Sequence, residues 1–448
     1  MAQYMDMYNE KLRTADEAVK AVKSGDWVAY SHFVMTPVTL DAALAKRAGE
    51  VTDVSIKVST GFAGCKAAEA DPEQKSFTYH SSFFSHADRH LGDRGLCYHL
   101  QGNYSQEIVN LSNGFCAAPN VCFIKVTPMD KHGFFNFGTS PSFAYASCEL
   151  ADIVIVEVNS NVPRCLGGVN ERIHISQVDY IVESANEPMI EIPKVTVTPE
   201  DEKIASYIVE QITDGACLQL GIGGIPNMVG KFIADSDVKD LGGHSEMLPD
   251  AYIDLYETGK MNGKYKTLDR GKMAFTFAMG SQRLYDFLDD NPACVAYDSG
   301  YTNSIINIAA NDNVFSVNNA LQVDLYGQVV SGSQGYRHIS GSGGQLDFVI
   351  GATYSKGGKS FITVKSTRVR EGKLISRIVP ALGINGVVTT PRVYTMYIVT
   401  EYGVAQVKGL PTWGIAENLI NVAHPDFRDD LIKDAQKAGI WRRSNKIL

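Results

Sequence analysis

The chain reads as an α/β protein made of two similar open domains with largely parallel sheets, and three observations carry that reading. Short β-branched runs alternate with helix-like segments: NVCFIKV (120–126), DIVIVEV (152–158), the amphipathic EDEKIASYIVEQI (200–212) and ACLQLGIG (216–223). Such alternation is the signature of strand–helix–strand units. Residues 14–44 and 199–233 share one order of parts: acidic start, amphipathic helix, polar-Gly turn, short strand, loop, Pro and second helix. The length of 448 residues with 44% hydrophobic content supplies a large core, at roughly 150 residues per domain. The reading is of an N-terminal domain over 1–212 and a C-terminal domain over 213–448, joined between about 185 and 215.

Composition excludes several classes. Net charge is −9 and the ten His are scattered, so no broad basic face is expected and nucleic acid is a poor partner. No cationic start precedes an apolar core and a small-residue cleavage site. No apolar run approaches the ~18 to 20 residues of a membrane span, so a cytoplasmic protein without membrane attachment is expected. Eight Cys without a Cys-x-x-Cys pair argue against a disulfide framework and a structural zinc.

Taken in order, the elements follow from local chemistry. In TADEAVKAVKSGDWVAYSHFVMTPVTLDAAL (14–44), Pro37 stands where a second helix begins, which suits its fixed φ and missing N–H. PMDKHGFFNFG (128–138) has the Asp and Gly spacing of a turn between strands. LGIGGIPNMV (220–229) follows an apolar run and leads into a helix, so Gly221, Gly223 and Gly224 let the backbone approach an anion or a developing oxyanion closely. NNALQVDLYGQV (318–329) alternates like a strand, and HISGSGGQLDFVIGA (338–352) carries a second glycine cluster, which reads as an ordinary hairpin loop or as a loop able to close over a reacting centre.

Candidate residues are few. Gly221-x-Gly223 resembles the start of a dinucleotide fingerprint, with Glu246 ~20 residues beyond to hold a ribose. Against a nicotinamide oxidoreductase, the third position is Pro226, and VKDLGGHS makes a poor buried strand. His32, in VAYSHFVMTP, holds the place in the first repeat that the glycine loop holds in the second, so it is a candidate substrate-pocket residue. His86 and His90 have i, i+4 metal spacing with no further ligand nearby, and no metal is expected. Glu246, in LGGHSEMLPD, reads on pattern alone as a solvated side chain, a base or a nucleophile. Gly242 and Gly243 leave its carboxyl approachable, and Met247 and Leu248 limit its hydration, which favours attack on a thioester.

Thirteen ordered segments resemble the acetyl-CoA hydrolase/transferase family, among them VTPMDKHGFFNFG, IVEVNSNVPRCLGG, LQLGIGGIPN, GGHSEM, LYGQVVSGS, SGSGGQLDFV and INVAHPDFRDDLIKDA. Within it they look most like butyryl-CoA:acetate CoA-transferases, with 4-hydroxybutyrate CoA-transferases next and acyl-CoA hydrolysis as the family's other reaction. The resemblance implies the class I CoA-transferase fold, with the active site at the interface of two α/β domains and usually a homodimer or homotetramer. It also implies a glutamate nucleophile, which falls on Glu246 through the match at His244 to Met247. The family's CoA-contacting loop matches Gly221, Ile222, Gly223, Gly224 and Ile225, and further CoA contacts match Leu321 and Gly344. Acyl-CoA and acetate are the implied substrates, with coenzyme A as substrate and covalent intermediate and no tightly bound cofactor. The stretch 66–106 departs from both subfamily patterns and is expected to help line the acyl pocket.

Overall fold

The computed structural model describes residues 2–383 and 386–448. The chain falls into two compact units, one of Met1–Ile192, Glu246–Leu248 and Met273–Asn303, the other of Pro193–Ser245, Pro249–Lys272 and Ser304–Leu448. A single cut after residue 212 does not describe this division, because two short later segments belong with the first unit.

The first unit is built on strands β1 (Trp27–Tyr30), β2 (Val54–Val58), β3 (Phe77–Ser81), β4 (Cys97–His99), β5 (Val121–Val126), β6 (Ile153–Val158) and β7 (Tyr180–Glu183). They lie in the order β4-β3-β2-β1-β5-β6-β7, every pair parallel. Alternate residues feed two cores: Val28, Tyr30, Val121 and Phe123 pack on one face, Ala29, Cys122, Ile124 and Val126 on the other. A parallel sheet covered on both faces needs apolar side chains at every position, which is why these runs are continuous rather than alternating. The turn expected at 128–138 forms: Asp130 Oδ1 accepts from the amides of His132 and Phe134 at 2.8 and 3.0 Å, and Gly133 takes φ 84°. Strand Phe134–Asn136 then pairs antiparallel with Arg172–His174.

In the second unit β8 (Cys217–Gln219), β9 (Gly242–His244), β10 (Val314–Asn319), β11 (Lys359–Thr363), β12 (Tyr397–Thr400) and β13 (Gly403–Gln406) lie in the order β9-β8-β10-β11-β12-β13. All pairs are parallel except the final β12–β13 hairpin. The repeated order of parts is present in both units. Thr14 and Thr198 each close a capping box at the start of the first helix, with Glu17 and Asp201 as reciprocal partners. Each helix leads to a strand, β1 or β8, and a loop then opens the second helix, Val38–Ala45 or Gly224–Asp235.

Two sequence expectations are corrected. Residues 318–329 are not one strand: Asp324 Oδ1 accepts from the amides of Tyr326 and Gln328 at 3.1 and 2.9 Å. Gly327 takes φ 84°, and Gln322–Asp324 folds back on Val329–Val330. Residues 242–244, dismissed as a poor strand, form buried β9 beside β8. Their apolar cover comes from outside the strand. A Cβ on Gly242 would stand 2.4 Å from Lys266 Cγ, and Lys266 Nζ donates to the Gly243 carbonyl at 2.8 Å. Gly242 therefore admits a lysine stem against the strand.

Among the described residues no helix is long and apolar enough to cross a membrane. Seven of the eight cysteines are buried, Cys116 is half-buried, and none forms a disulfide.

Candidate active site

Glu246 immediately precedes the short strand Met247–Leu248, which pairs in parallel with Phe277–Ala278. Its main-chain oxygen accepts the amides of Thr276 and Phe277 at 3.0 and 3.1 Å. Asn303, fully buried at the end of helix Ser299–Thr302, donates its side-chain amide to Glu246 Oε2 at 2.6 Å. A half-buried carboxylate is thereby fixed at both its backbone and its head.

The surroundings are apolar and aromatic. Phe33, Met35, Tyr104, Phe143, Met247 and Phe277 are buried in one cluster. Phe33 stacks on Phe277 at 3.7 Å and 15°, directly over the segment that holds the Glu246 carbonyl. Phe33 has φ 57°, a conformation that costs a bulky residue on the order of 1–3 kcal/mol and persists only where the surroundings enforce it. Here its amide donates to the Thr60 carbonyl at 2.7 Å, and the next loop residue, Gly61, donates to Asp88 Oδ2 at 3.1 Å. Asp88 also accepts from Tyr79 Oη at 2.8 Å and from the Ser85 amide at 2.9 Å. Burial raises the Asp88 pKa while these donors oppose the rise. The contribution of SHADRH is thus Asp88, which pins the loop under Phe33. Among the described residues no group of three or more His, Cys, Asp or Glu is placed to share a metal ion.

Tyr104, from the stretch that departs from both subfamily patterns, donates to Ser142 Oγ at 2.7 Å. Burial, and the charge on Glu246 with it, holds the phenol well above its ordinary pKa, so it stays a neutral donor. His32 lies behind this wall, its ring 3.9 Å from that of Phe143. Its Nδ1 accepts the Ser59 amide at 3.2 Å, which leaves the proton on Nε2, a buried donor without a protein partner. Burial, reinforced by Lys57, lowers its pKa to about 3. Lys57 is itself buried and paired with Glu107 at 3.2 Å.

In the second unit, the glycine loop sits between β8 and helix Gly224–Asp235. Leu220 is tied down on both sides: its amide donates to Tyr252 Oη at 3.2 Å and its carbonyl accepts from Ser245 Oγ at 3.3 Å. Gly223 takes φ 124° and caps the helix with no side-chain acceptor. A Cβ on Gly224 would stand 2.8 Å from Asp201 Oδ2, whereas one on Gly221 would meet nothing within 4 Å. Ile225 is buried and Ile222 is 37% exposed. The matching helix of the first unit, Val38–Ala45, differs at its start: Glu157 Oε2 accepts the amides of Thr39 and Leu40 at 3.0 and 2.9 Å. That helix N-terminus already holds an anion of its own, while the one behind the glycine loop presents first-turn amides to whatever approaches.

Leu321 donates its amide to the Val330 carbonyl at 2.8 Å. Gly344 is buried and caps helix Gln345–Tyr354. Sequence reasoning missed Asn303, Phe33 and Tyr104. Asn303 lies in DSGYTNS, which has no pattern pointing to Glu246, and a Phe with positive φ has no sequence signature.

Models of the acetyl-CoA hydrolase/transferase family match the chain with the N-terminal domain over residues 1–193 and the C-terminal domain over 280–435. The chain is 49% identical to butyryl-CoA:acetate CoA-transferase of Anaerostipes caccae, covering 99% of this chain and 100% of that protein. It is 39% identical to 4-hydroxybutyrate coenzyme A transferase of Clostridium kluyveri, covering 97% and 99%. The crystal structure of RipA from Yersinia pestis superposes with a TM-score of 0.90 at 38% identity, over 98% of this chain and 99% of that one.

Proposed function

The chain belongs to the acetyl-CoA hydrolase/transferase family, and from that premise we propose that it is a CoA-transferase moving CoA from a short-chain acyl-CoA, butyryl-CoA foremost, to acetate. Family membership displaces the nicotinamide oxidoreductase reading. The observation that carries the proposal is the Glu246 carboxylate, held by Asn303 at 2.6 Å in a unit whose neighbouring wall is aromatic and apolar. A carboxylate fixed beside apolar side chains is poorly hydrated, which strengthens it as a nucleophile.

In the proposed cycle a Glu246 oxygen attacks the thioester carbonyl, and the C–S bond breaks to give a mixed anhydride and CoA thiolate. The thiolate attacks the glutamyl carbonyl, which releases the first carboxylate and leaves a glutamyl-CoA thioester. Acetate reverses both steps and departs as acetyl-CoA. The thioester's free energy is conserved throughout, so the cycle calls for no ATP. Coenzyme A is substrate and covalent intermediate, with no tightly bound cofactor. The amides of Gly221 to Ile225 receive the oxyanion, and Leu321 and Gly344 contact CoA. One such donor is typically worth ~10² to 10³ in rate.

His32 completes the acyl pocket as a neutral Nε2 donor. The two repeats correspond to two transferase domains, in a cytoplasmic homodimer or homotetramer. A second reading, 4-hydroxybutyryl-CoA as donor, draws on the buried hydroxyls of Thr139 and Thr276, which have no hydrogen-bond partner.

The test is to incubate the enzyme with butyryl-CoA or 4-hydroxybutyryl-CoA, with and without acetate, following acetyl-CoA and free CoA. Acetyl-CoA appearing only with acetate, and faster from butyryl-CoA, is expected. Acetate-independent release of free CoA makes the protein a hydrolase and refutes the transfer reading.

A further inference from the structure

Both holds on Glu246 lead back to one residue, Ser142. Its amide donates to the Thr276 carbonyl at 3.2 Å, and its carbonyl accepts from the Ser299 amide at 2.7 Å. Thr276 is the residue whose own amide binds the Glu246 carbonyl, and Ser299 opens the short helix that ends on Asn303. Ser142 takes φ 41°, a left-handed conformation that a serine keeps only where its surroundings over-determine it.

The Ser142 side chain is buried and fully engaged. Its Oγ accepts from Tyr104 Oη at 2.7 Å and lies 3.0 Å from Ser140 Oγ and 3.4 Å from the Thr276 carbonyl. With the phenol donating to Oγ, the Ser142 proton is left for that carbonyl. A path of hydrogen bonds thus runs from Tyr104 to the segment that brackets the Glu246 main chain.

Tyr104 is anchored in turn. It opens the turn Tyr104–Gln106, which runs directly into helix Glu107–Ser112. Glu107 pairs with Lys57 of β2 at 3.2 Å, with the two side chains 4% and 5% exposed, and Lys57 Nζ stands 5.5 Å from the ring centre of Phe143, the residue after Ser142. A strand inside a parallel sheet covered on both faces ordinarily carries apolar side chains. A buried ion pair there is a weak source of stability, because desolvation offsets the attraction. The same turn and helix also pack on helix Ser299–Thr302, where a Cβ on Gly300 would stand 3.4 Å from Ile108 Cδ1.

We propose that Tyr104 is a positioning residue for the nucleophile: through Ser142 it sets the spacing between the main-chain and side-chain holds on Glu246, and the Lys57–Glu107 pair anchors it. The inference rests on the CoA-transfer reading, since it concerns how the same carboxylate is aimed. Loss of the phenol oxygen leaves the ring in the aromatic wall and slackens both holds at once.

Steady-state transfer from butyryl-CoA to acetate by the full-length enzyme tests it, with Tyr104→Phe and Ser142→Ala measured alone and in the Asn303→Ala background. Each single variant is expected to lower kcat about tenfold while KM for butyryl-CoA moves less than about twofold. Added to Asn303→Ala, Tyr104→Phe is expected to cost less than about threefold more, because the head of the carboxylate is already unaimed. Lys57→Met joined with Glu107→Leu removes both charges together and is expected to reproduce the loss in kcat at unchanged KM. Unaltered kcat in Tyr104→Phe and Ser142→Ala, a loss confined to KM, or a full tenfold loss on top of Asn303→Ala overturns the positioning role. Wild-type kcat in the Lys57→Met, Glu107→Leu double variant overturns the anchoring role of the pair. A wild type that transfers no CoA refutes the transfer reading and the proposal with it, whereas a wild type that transfers leaves the variants to decide positioning alone.

Discussion

Asn303 fixes one oxygen of the Glu246 carboxylate at 2.6 Å, and the amides of Thr276 and Phe277 fix its main chain, so the carboxylate has a set direction of attack. Removing the side-chain donor leaves the carboxylate in place but unaimed, and a misplacement of about 1 Å is enough to cost ~10² in rate. Asn303→Ala is therefore expected to lower kcat about 10²-fold while KM for butyryl-CoA moves less than about threefold. Steady-state kinetics check this, and a loss confined to KM assigns Asn303 to substrate binding instead. The sequence made Glu246 legible through the ordered HSEM segment, but not Asn303, which stands 57 positions further on in an unpatterned stretch. Phe33 was hidden for a different reason. Its φ of 57° is enforced by Thr60 and by the loop that Asp88 pins, contacts that no local propensity encodes.

At the scale of elements, the three loop glycines have separate physical reasons. Gly223 needs its φ of 124°, and Gly224 needs to lack a Cβ because Asp201 occupies that space. Gly221 needs neither, since its φ is not positive and a Cβ there would meet nothing within 4 Å. Packing does not account for glycine at this position, whereas close approach of a ligand to the backbone does. Gly221→Ala is expected to leave the melting temperature within about 2 °C of wild type and to lower kcat/KM for acyl-CoA by at least about tenfold. Full activity in this variant removes Gly221 from the proposed oxyanion loop. Alternation in the sequence foretold the βα units, because those depend on neighbours within a few residues. It misjudged β9, whose cover is the Lys266 stem from more than twenty residues away. It also ran 318–329 together as one strand, where the Asp324 turn folds the chain back.

For the molecule as a whole, parallel sheets in both units, the repeated helix–strand–loop–helix order and family membership agree with an α/β transferase read from the sequence. The division into units is where a linear reading falls short, because Glu246–Leu248 and Met273–Asn303 pack with the first unit despite lying late in the chain. That assignment brings Glu246, Asn303, Phe277 and Tyr104 into one body from three separate stretches. The central claim is that Glu246 carries coenzyme A as a thioester. Intact-mass measurement after exposure to butyryl-CoA alone, followed by peptide mapping, tests it most directly. The account predicts a gain equal to coenzyme A less one water, located on the peptide holding Glu246, discharged by acetate and missing from Glu246→Ala. An adduct that persists in Glu246→Ala, or transfer to acetate at the wild-type rate by that variant, contradicts it.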